Sequence, residues 1–297
     1  MRPFYFAFAA AVFAAAASAA PIEGRKPAYL QEVAPTFANH DAVGRRVWAP
    51  GLDEGYTPQG LALSGDHILV SGYREATDGG AACRVFRMHA KTGEPAGHFD
   101  IPACQHAGGL ATVGGGLLVV ADTRRLWRVD MERAFASGKL EGALRGTVGL
   151  AGNLYGSFAA FDGTDLWIGR YTVRKEAENA KLHRVALKVF DELDGRDLDE
   201  SKVAETLPSP PLGQGMTFQG RDTIWIASSS SQIGWLHRIE RATGNVLQRH
   251  DTIIGIEGIA FGPEGQLWAV SEAGAKKYQH WKAHFPLVFA IDVAKLR

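Results

Sequence analysis

The sequence has few cysteines, no excess of charge of either sign, and no long apolar stretch beyond its first twenty residues. Cys83 and Cys104 are its two cysteines, and without clustered histidines they give none of the ligand spacings typical of zinc. Basic and acidic residues both number 32, so the chain lacks a general electrostatic attraction for nucleic acid or an anionic membrane. No later segment approaches the roughly 18 apolar residues of a membrane-spanning helix. We therefore expect no nucleic-acid partner and no stable membrane anchor after processing.

Motifs for an activated nucleophile or a nucleotide are also missing. The sequence contains no G-x-S-x-G, and its glycine run at 114–116 lacks the lysine of a phosphate-binding loop. We therefore expect no nucleotide cofactor.

The first twenty residues, MRPFYFAFAAAVFAAAASAA, combine Arg2, an apolar run of Ala and Phe, and a small-residue end. This order is typical of a cleaved secretory signal, and an uncleaved membrane anchor is the alternative. Because Pro21 follows the small residues, we favour cleavage and a periplasmic or secreted protein. The predicted division is a signal peptide at 1–20, an irregular lead-in at 21–44, and a single domain at 45–297.

Five related phrases recur along the chain. Each has a short apolar strand, a turn built on Gly or Asp, and a second apolar strand. They read PQGLALSGDHILVSGY, AGGLATVGGGLLVVADT, SFAAFDGTDLWIGRY, GQGMTFQGRDTIWIASS and IEGIAFGPEGQLWAVSE. A period of roughly 40–50 residues with apolar strands and short turns is typical of four-stranded propeller blades.

The repeat therefore predicts an all-β fold, a β-propeller of five four-stranded blades, with six blades as the alternative. The last repeat is followed by one further strand and then the chain end, so the fifth blade is one strand short. The segment GRRVWAP, before the first repeat, can supply it. We expect residues 46–50 to pair with residues 286–293 and close the ring, which would cover an exposed sheet edge.

The two cysteines flank the KTGE turn of the first blade. Counting outward from that turn places Cys83 opposite about position 102, close to Cys104. The pair is expected to form a disulfide in an exported protein, and two free, half-buried thiols are the alternative.

Polar residues gather where the first strand of each repeat begins and where the second strand ends. In a propeller, both positions lie on the same face. Here that face also carries the long loops, and binding sites usually lie on such loops. The predicted mouth of the channel is lined by Gln59, Tyr73, His106, Asp122, Arg170, Tyr171, Gln214, Glu257 and Glu272. For Gln59 and Gln214, hydrogen bonding to backbone at the rim is the alternative role, and His106 could equally cap a strand end.

Glu257 and Glu272 lie at adjacent strand ends of one hairpin. Two carboxylates this close raise one pKa or need a cation between them. Arg170 could be that cation. Alternatively Ca²⁺ or another divalent ion could bind Glu257, Glu272 and Asp122, because Ca²⁺ takes carboxylate and amide oxygens together.

The phrases PQGLA, HAGGLA and EGIAFGPEGQLWAVSE resemble the inner strands of secreted bacterial β-propellers. That assemblage includes gluconolactonase-type and senescence-marker-type lactonases and NHL-repeat proteins, and the resemblance covers about residues 45–297. In its lactonase-type members, a Glu at the start of an inner strand helps to hold a divalent metal in the channel. Glu257 is the matching position, whereas the Asn and Asp that those enzymes also use are not matched.

Two functions follow as hypotheses. The first is a metal-assisted hydrolase of a small ester or lactone, with Glu257, Glu272, His106 and Arg170 as catalytic residues. Its substrate-binding residues would be Gln59, Tyr73, Tyr171 and Gln214. The second is a non-enzymatic propeller whose loop-rich face binds a small molecule, a glycan or a protein.

Overall fold

The computed structural model describes residues 21–33, 37–75, 82–193 and 195–297. Within them, five mostly antiparallel sheets form a ring, so the protein is a five-bladed β-propeller, as the repeat predicts. The predicted signal segment and part of the loop after Tyr73 lie outside the described residues. In the described part of the chain, no helix is long and apolar enough to cross a membrane.

Each blade begins at the channel and adds strands outward in chain order, with two exceptions. The N-terminal segment joins the last blade, and Asp197–Leu198, which lies between the two outer strands of blade three in the chain, joins blade two. Blade one contains Thr57–Ser64, His67–Tyr73, Cys83–His89 and Pro95–Ile101. Blade two contains Gly109–Thr112, Leu117–Asp122, Arg125–Asp130, Leu144–Leu150 and Asp197–Leu198. Blade three contains Phe158–Phe161, Leu166–Gly169, Lys181–Val185 and Glu205–Pro208. Blade four contains Gly213–Gln219, Thr223–Ser229, Gly234–Glu240 and Val246–Asp251. Blade five contains Ile256–Phe261, Leu267–Ser271, Leu287–Ile291, Val43–Trp48 and Ile22–Glu23.

Helices are short and lie in the connections. The α-helices are Met131–Ser137 and Val189–Leu193, and the 3₁₀ turns are His40–Ala42, Arg174–Asn179, Glu200–Lys202, Lys276–Tyr278 and Val293–Lys295. The first α-helix has clear end signals. The Asp130 side chain accepts a hydrogen bond from the N–H of Arg133 at its start, and Gly138 ends it at a φ of 71°.

The fifth blade takes its outer strand from the N-terminal segment. Val43–Trp48 pairs antiparallel with Leu287–Ile291, with Val47 opposite Val288. The paired strand begins three residues before the segment expected from the sequence. The lead-in also contains regular structure, because Ile22–Glu23 pairs in parallel with the same strand and becomes the edge of the sheet.

The hydrophobic core is divided among the interfaces between blades. Five clusters of buried side chains each join two neighbouring blades, and together they follow the ring from blade to blade. Burial of this apolar surface is the main force that holds the blades together.

Glycine near the start of the inner strands allows neighbouring blades to approach closely. A Cβ atom at Gly108 would lie 2.1 Å from the Ser157 carbonyl oxygen, and one at Gly258 would lie 2.2 Å from the Leu61 nitrogen. Both distances are below van der Waals contact, so larger residues at these positions would push two blades apart. The channel is therefore narrow, and the polar side chains around it are held close together.

The predicted disulfide between Cys83 and Cys104 is confirmed, with their Cα atoms 5.7 Å apart. Cys83 lies opposite Ile101 in the strand ladder, one residue from the position counted from the turn. The bond fixes the connection from blade one to blade two, directly before His106.

Candidate functional site

Three of the polar residues at the mouth lie in irregular starts of inner strands. The pairing register shifts between Pro58 and Leu61, between Gly213 and Gly215, and between Ile256 and Ile259. These intervals contain Gln59, Gln214 and Glu257. A bulge changes the direction of the side chains around it and is over-represented next to active sites. In three blades, an irregularity of this kind therefore places a polar side chain at the channel.

Glu257 and Glu272 form a buried carboxyl pair at the base of the mouth. Their exposed fractions are 1% and 6%. The Gln59 side-chain N–H donates to Glu272 Oε2 at 2.8 Å, and the Ser229 hydroxyl donates to Glu257 Oε1 at 3.3 Å. The sequence-based prediction that the two carboxyls lie together agrees with this geometry.

The pair retains protons well above the usual pH range of glutamate. Burial raises the pKa of Glu272 from 4.5 to about 8, although the hydrogen bond from Gln59 and the positive charge of Lys277 act in the opposite direction. Burial, followed by the negative charge of Glu272, raises the pKa of Glu257 well above 4.5. A hydrogen bond between the two carboxyls also raises the pKa of Glu257. At neutral pH the pair is therefore a proton reservoir.

A cavity of about 520 Å³ lies above this pair. Its polar lining includes Gln59, His106, Ser157, Gln214, Ser229 and Glu272, and its aromatic lining is Tyr73, Tyr155, Tyr171, Tyr278 and Trp281. A concave site with aromatic walls and a few convergent polar groups is typical of small-molecule binding. Glu272 lines the cavity and Glu257 lies behind it, so Glu272 is the member of the pair that a ligand can reach.

Tyr73 is held in a hydrogen-bonded group at one side of the cavity. Lys277 Nζ donates to the Tyr73 hydroxyl at 2.9 Å, and the hydroxyls of Tyr73 and Tyr278 are 3.1 Å apart. Burial, with a further contribution from Tyr278, raises the pKa of Tyr73, and burial raises the pKa of Tyr278 to about 12. Both phenols therefore stay protonated at neutral pH, and because one hydroxyl donates its proton to the other, one of the two is left to donate a hydrogen bond into the cavity.

His106 and Asp122 lie next to each other but have different surroundings. The His106 ring packs on Tyr73 with 4.5 Å between centroids. Desolvation lowers the pKa of His106, so the ring is mainly neutral at pH 7. The Asp122 carboxylate accepts hydrogen bonds from three backbone N–H groups, those of Gln105, His106 and Ala107, at 2.8–3.1 Å. Asp122 thus holds the segment that carries His106.

The remaining predicted residues are divided between the cavity and its surroundings. Tyr171 and Gln214 line the cavity. The Arg170 guanidinium lies over the ring of Tyr155, 4.4 Å from its centroid, and it is not among the cavity-lining residues. The cation whose charge acts on Glu272 is that of Lys277.

The residues proposed to bind a divalent cation are not gathered into a ligand set in this arrangement. The carboxyls of Glu257 and Glu272 are hydrogen-bonded to each other, and the oxygens of Asp122 accept backbone N–H groups. Among the described residues, one group of three ligand-type side chains has its ligand atoms within 4.8 Å of one another, and that group lies elsewhere, at Asp66. Calcium in the channel therefore stays a prediction.

Sequence reasoning did not assign roles to Lys277 or Tyr155. Lys277 and Tyr278 belong to the loop 272–286, whose path over the cavity is fixed by contacts such as that of the Tyr29 hydroxyl with the Gly274 carbonyl at 3.0 Å. A polar loop gives no periodic signal from which that path could be predicted. The only available signal was its length and its Tyr and Trp content.

Comparison with known proteins supports the fold. No protein-family model and no curated protein matches the chain. A glutaminyl cyclase from Myxococcus xanthus has a similar structure, with a TM-score of 0.56 and 14% identity, over 84% of this chain and 94% of that one. The PQQ-bound aldose sugar dehydrogenase from Streptomyces coelicolor matches with a TM-score of 0.46 and 19% identity, over 72% of this chain and 74% of that one. BamB from Moraxella catarrhalis matches with a TM-score of 0.36 and 16% identity, over 78% and 56%. At 14% identity, the likeness to the glutaminyl cyclase shows the fold alone.

Proposed function

We propose that the mouth is an active site for acyl transfer at a small ester, lactone or amide carbonyl, with Glu272 as the group that accepts and returns the proton. One observation carries the proposal: two adjacent carboxyls are buried at the base of an aromatic cavity, and one of them lines it. General acid–base catalysis works best when the pKa of the catalytic group lies near the working pH. Burial places the pKa of Glu272, at about 8, in that range.

The groups around the cavity have complementary roles in this reaction. The attacking water or amine forms a bond to the carbonyl carbon through its lone pair. As it does so, the ionised carboxylate of Glu272 takes a proton from it. Tyr73, kept protonated by burial and hydrogen-bonded by Lys277, donates to the carbonyl oxygen as negative charge develops on it. Glu272 then returns the proton to the leaving group as the acyl bond breaks. Gln59 orients the Glu272 carboxyl by donating a hydrogen bond to its Oε2, and Glu257 is hydrogen-bonded to the same carboxyl.

The structural likeness to a glutaminyl cyclase guides the choice of substrates, because cyclisation of a glutaminyl group is also acyl transfer, with an amine as the nucleophile. The substrate panel should therefore contain short-chain esters, lactones and peptides with N-terminal glutamine, each with and without added Ca²⁺. Replacement of Glu272 by Gln should lower kcat by about 10²–10⁴-fold. Glu264→Gln, the same change at an exposed position on the opposite face of blade five, is the matched control.

Activity that survives Glu272→Gln would contradict the assignment of the proton-transfer group. Binding of a panel compound without turnover, lost in Glu272→Gln, would favour the ligand-binding alternative, which the aromatic lining also supports. Activity that depends on Ca²⁺ would favour the metal-assisted hydrolase instead.

We also infer that the protein works outside the cytoplasm, in the periplasm or the medium. The disulfide between Cys83 and Cys104 supports this location, because disulfides persist in oxidising compartments. Detection of the protein in the cytoplasmic fraction with both thiols free would contradict the inference.

A further inference from the structure

A second cluster of ligand-type side chains lies on the face of the ring opposite the mouth. Asp66 is in the turn between the first two strands of blade one, His67 begins the second strand, and His89 ends the third. One potential ligand atom from each of the three side chains lies within 4.8 Å of the other two.

The sheet itself brings these side chains together. His67 and His89 are direct partners across neighbouring strands, so their side chains lie on the same side of the sheet. Their ring centroids are 4.7 Å apart. Asp66 Oδ1 is 3.0 Å from His67 Nδ1, and the Asp66 carbonyl accepts the N–H of Ala90 at 2.9 Å. Backbone pairing therefore fixes all three positions.

We propose that Asp66, His67 and His89 bind a divalent first-row transition metal, with Zn²⁺ as the best match. Two imidazoles and one carboxylate are the donor set of zinc sites that keep a fourth position open. Ca²⁺ and Mg²⁺ are poor matches because they take oxygen ligands. An ion pair between Asp66 and His67 would explain why those two side chains lie close together, but it would not explain the position of His89.

Solvent can reach the cluster and complete the coordination. The side chains of His67 and Asp66 are 24% and 75% exposed, and both residues line a cavity of about 530 Å³ on this face. A bound metal would join the turn of the first hairpin to the end of the third strand. Because it would bind the folded chain, it should stabilise the protein according to its concentration relative to Kd.

The experiment is Zn²⁺ titration by calorimetry on the untagged full chain, together with melting curves with and without Zn²⁺. A histidine tag must be absent because it binds the same ion. The variants are His67→Ala, His89→Ala and Asp66→Asn. The matched control is His98→Ala, which changes an exposed histidine of the same blade outside the cluster. Circular dichroism establishes that each variant is folded, and His→Gln replaces any His→Ala variant that is not.

We expect one Zn²⁺ per chain and a melting temperature raised by Zn²⁺ in the wild type and in His98→Ala. Loss of a direct ligand should weaken binding at least about tenfold, since loss of outer-shell partners already costs 10–100-fold. The absence of saturable Zn²⁺ binding would overturn the proposal. Equal affinity in the wild type and the His67 and His89 variants, or preferential binding of Ca²⁺, would also overturn it.

Discussion

The raised pKa of Glu272 predicts that wild-type stability falls as pH rises and that Glu272→Gln removes the part of this dependence that Glu272 contributes. In the unfolded chain the carboxyl ionises near its ordinary pKa of 4.5, whereas in the folded protein it keeps its proton up to about pH 8. Between these values the unfolded state binds fewer protons than the native state. The contribution to stability is therefore complete below pH 4.5 and is lost as pH rises through 8.

The size of the effect follows from the same shift. One pKa unit corresponds to about 1.4 kcal/mol, so a rise from 4.5 to about 8 weakens the fold by about 4 kcal/mol at pH 8.5 relative to pH 4.5. A glutamine at position 272 does not titrate and can still accept the hydrogen bond from Gln59. The variant should match wild type near pH 4.5 and exceed its stability by about 3 kcal/mol at pH 7.

Urea denaturation at a series of pH values measures this difference directly. Glu264→Gln should follow the wild-type curve, because that glutamate is exposed on the other face. Parallel pH curves for wild type and Glu272→Gln would refute the argument that burial holds the proton. A Glu272→Gln variant that is less stable than wild type at every pH would instead indicate that the carboxylate is a structural ion.

Three further perturbations test other parts of the structure. Reduction of the bond between Cys83 and Cys104, which spans 21 residues of sequence, should cost about 3 kcal/mol in urea denaturation, and an unchanged midpoint would contradict a stabilising disulfide. Deletion of residues 21–50 removes both outer strands of blade five. It should lower the melting temperature and promote aggregation through the exposed edge. An unchanged melting curve would show that these strands are dispensable. Asp122→Ala leaves three backbone donors without their acceptor and should cost about 3 kcal/mol or more, whereas a cost below about 1 kcal/mol would show that water replaces the carboxylate.

The architecture could be predicted because it is repeated. Five copies of one apolar phrase specify five copies of one structural unit, and the pattern needs no knowledge of long-range contacts. The position of Glu257 beside Glu272 was predictable for a related reason. Both residues belong to one hairpin, and pairing within a hairpin follows directly from the turn.

Contacts that depend on loops could not be predicted in this way. Arg170 was one candidate for the cation beside the carboxyl pair because it lies at an equivalent strand end, yet its guanidinium packs over Tyr155. The positive charge that acts on Glu272 is that of Lys277. Lys277 reaches the site through a loop whose path depends on contacts between segments far apart in sequence. The bulge at Gln59 likewise leaves no mark in a strand that is apolar on both faces, and bulges decide which polar side chains face the channel.

Titration of the Glu272 carboxyl tests the central claim most directly. Protein labelled with ¹³C at the glutamate carboxyl carbon can be followed by NMR from pH 4 to 10, with Glu272→Gln and Glu257→Gln used to assign the two resonances. We expect a Glu272 transition near pH 8. A Glu272 transition near the ordinary value of 4.5 in the wild-type protein would contradict the account, because the group could then neither hold nor return a proton at neutral pH.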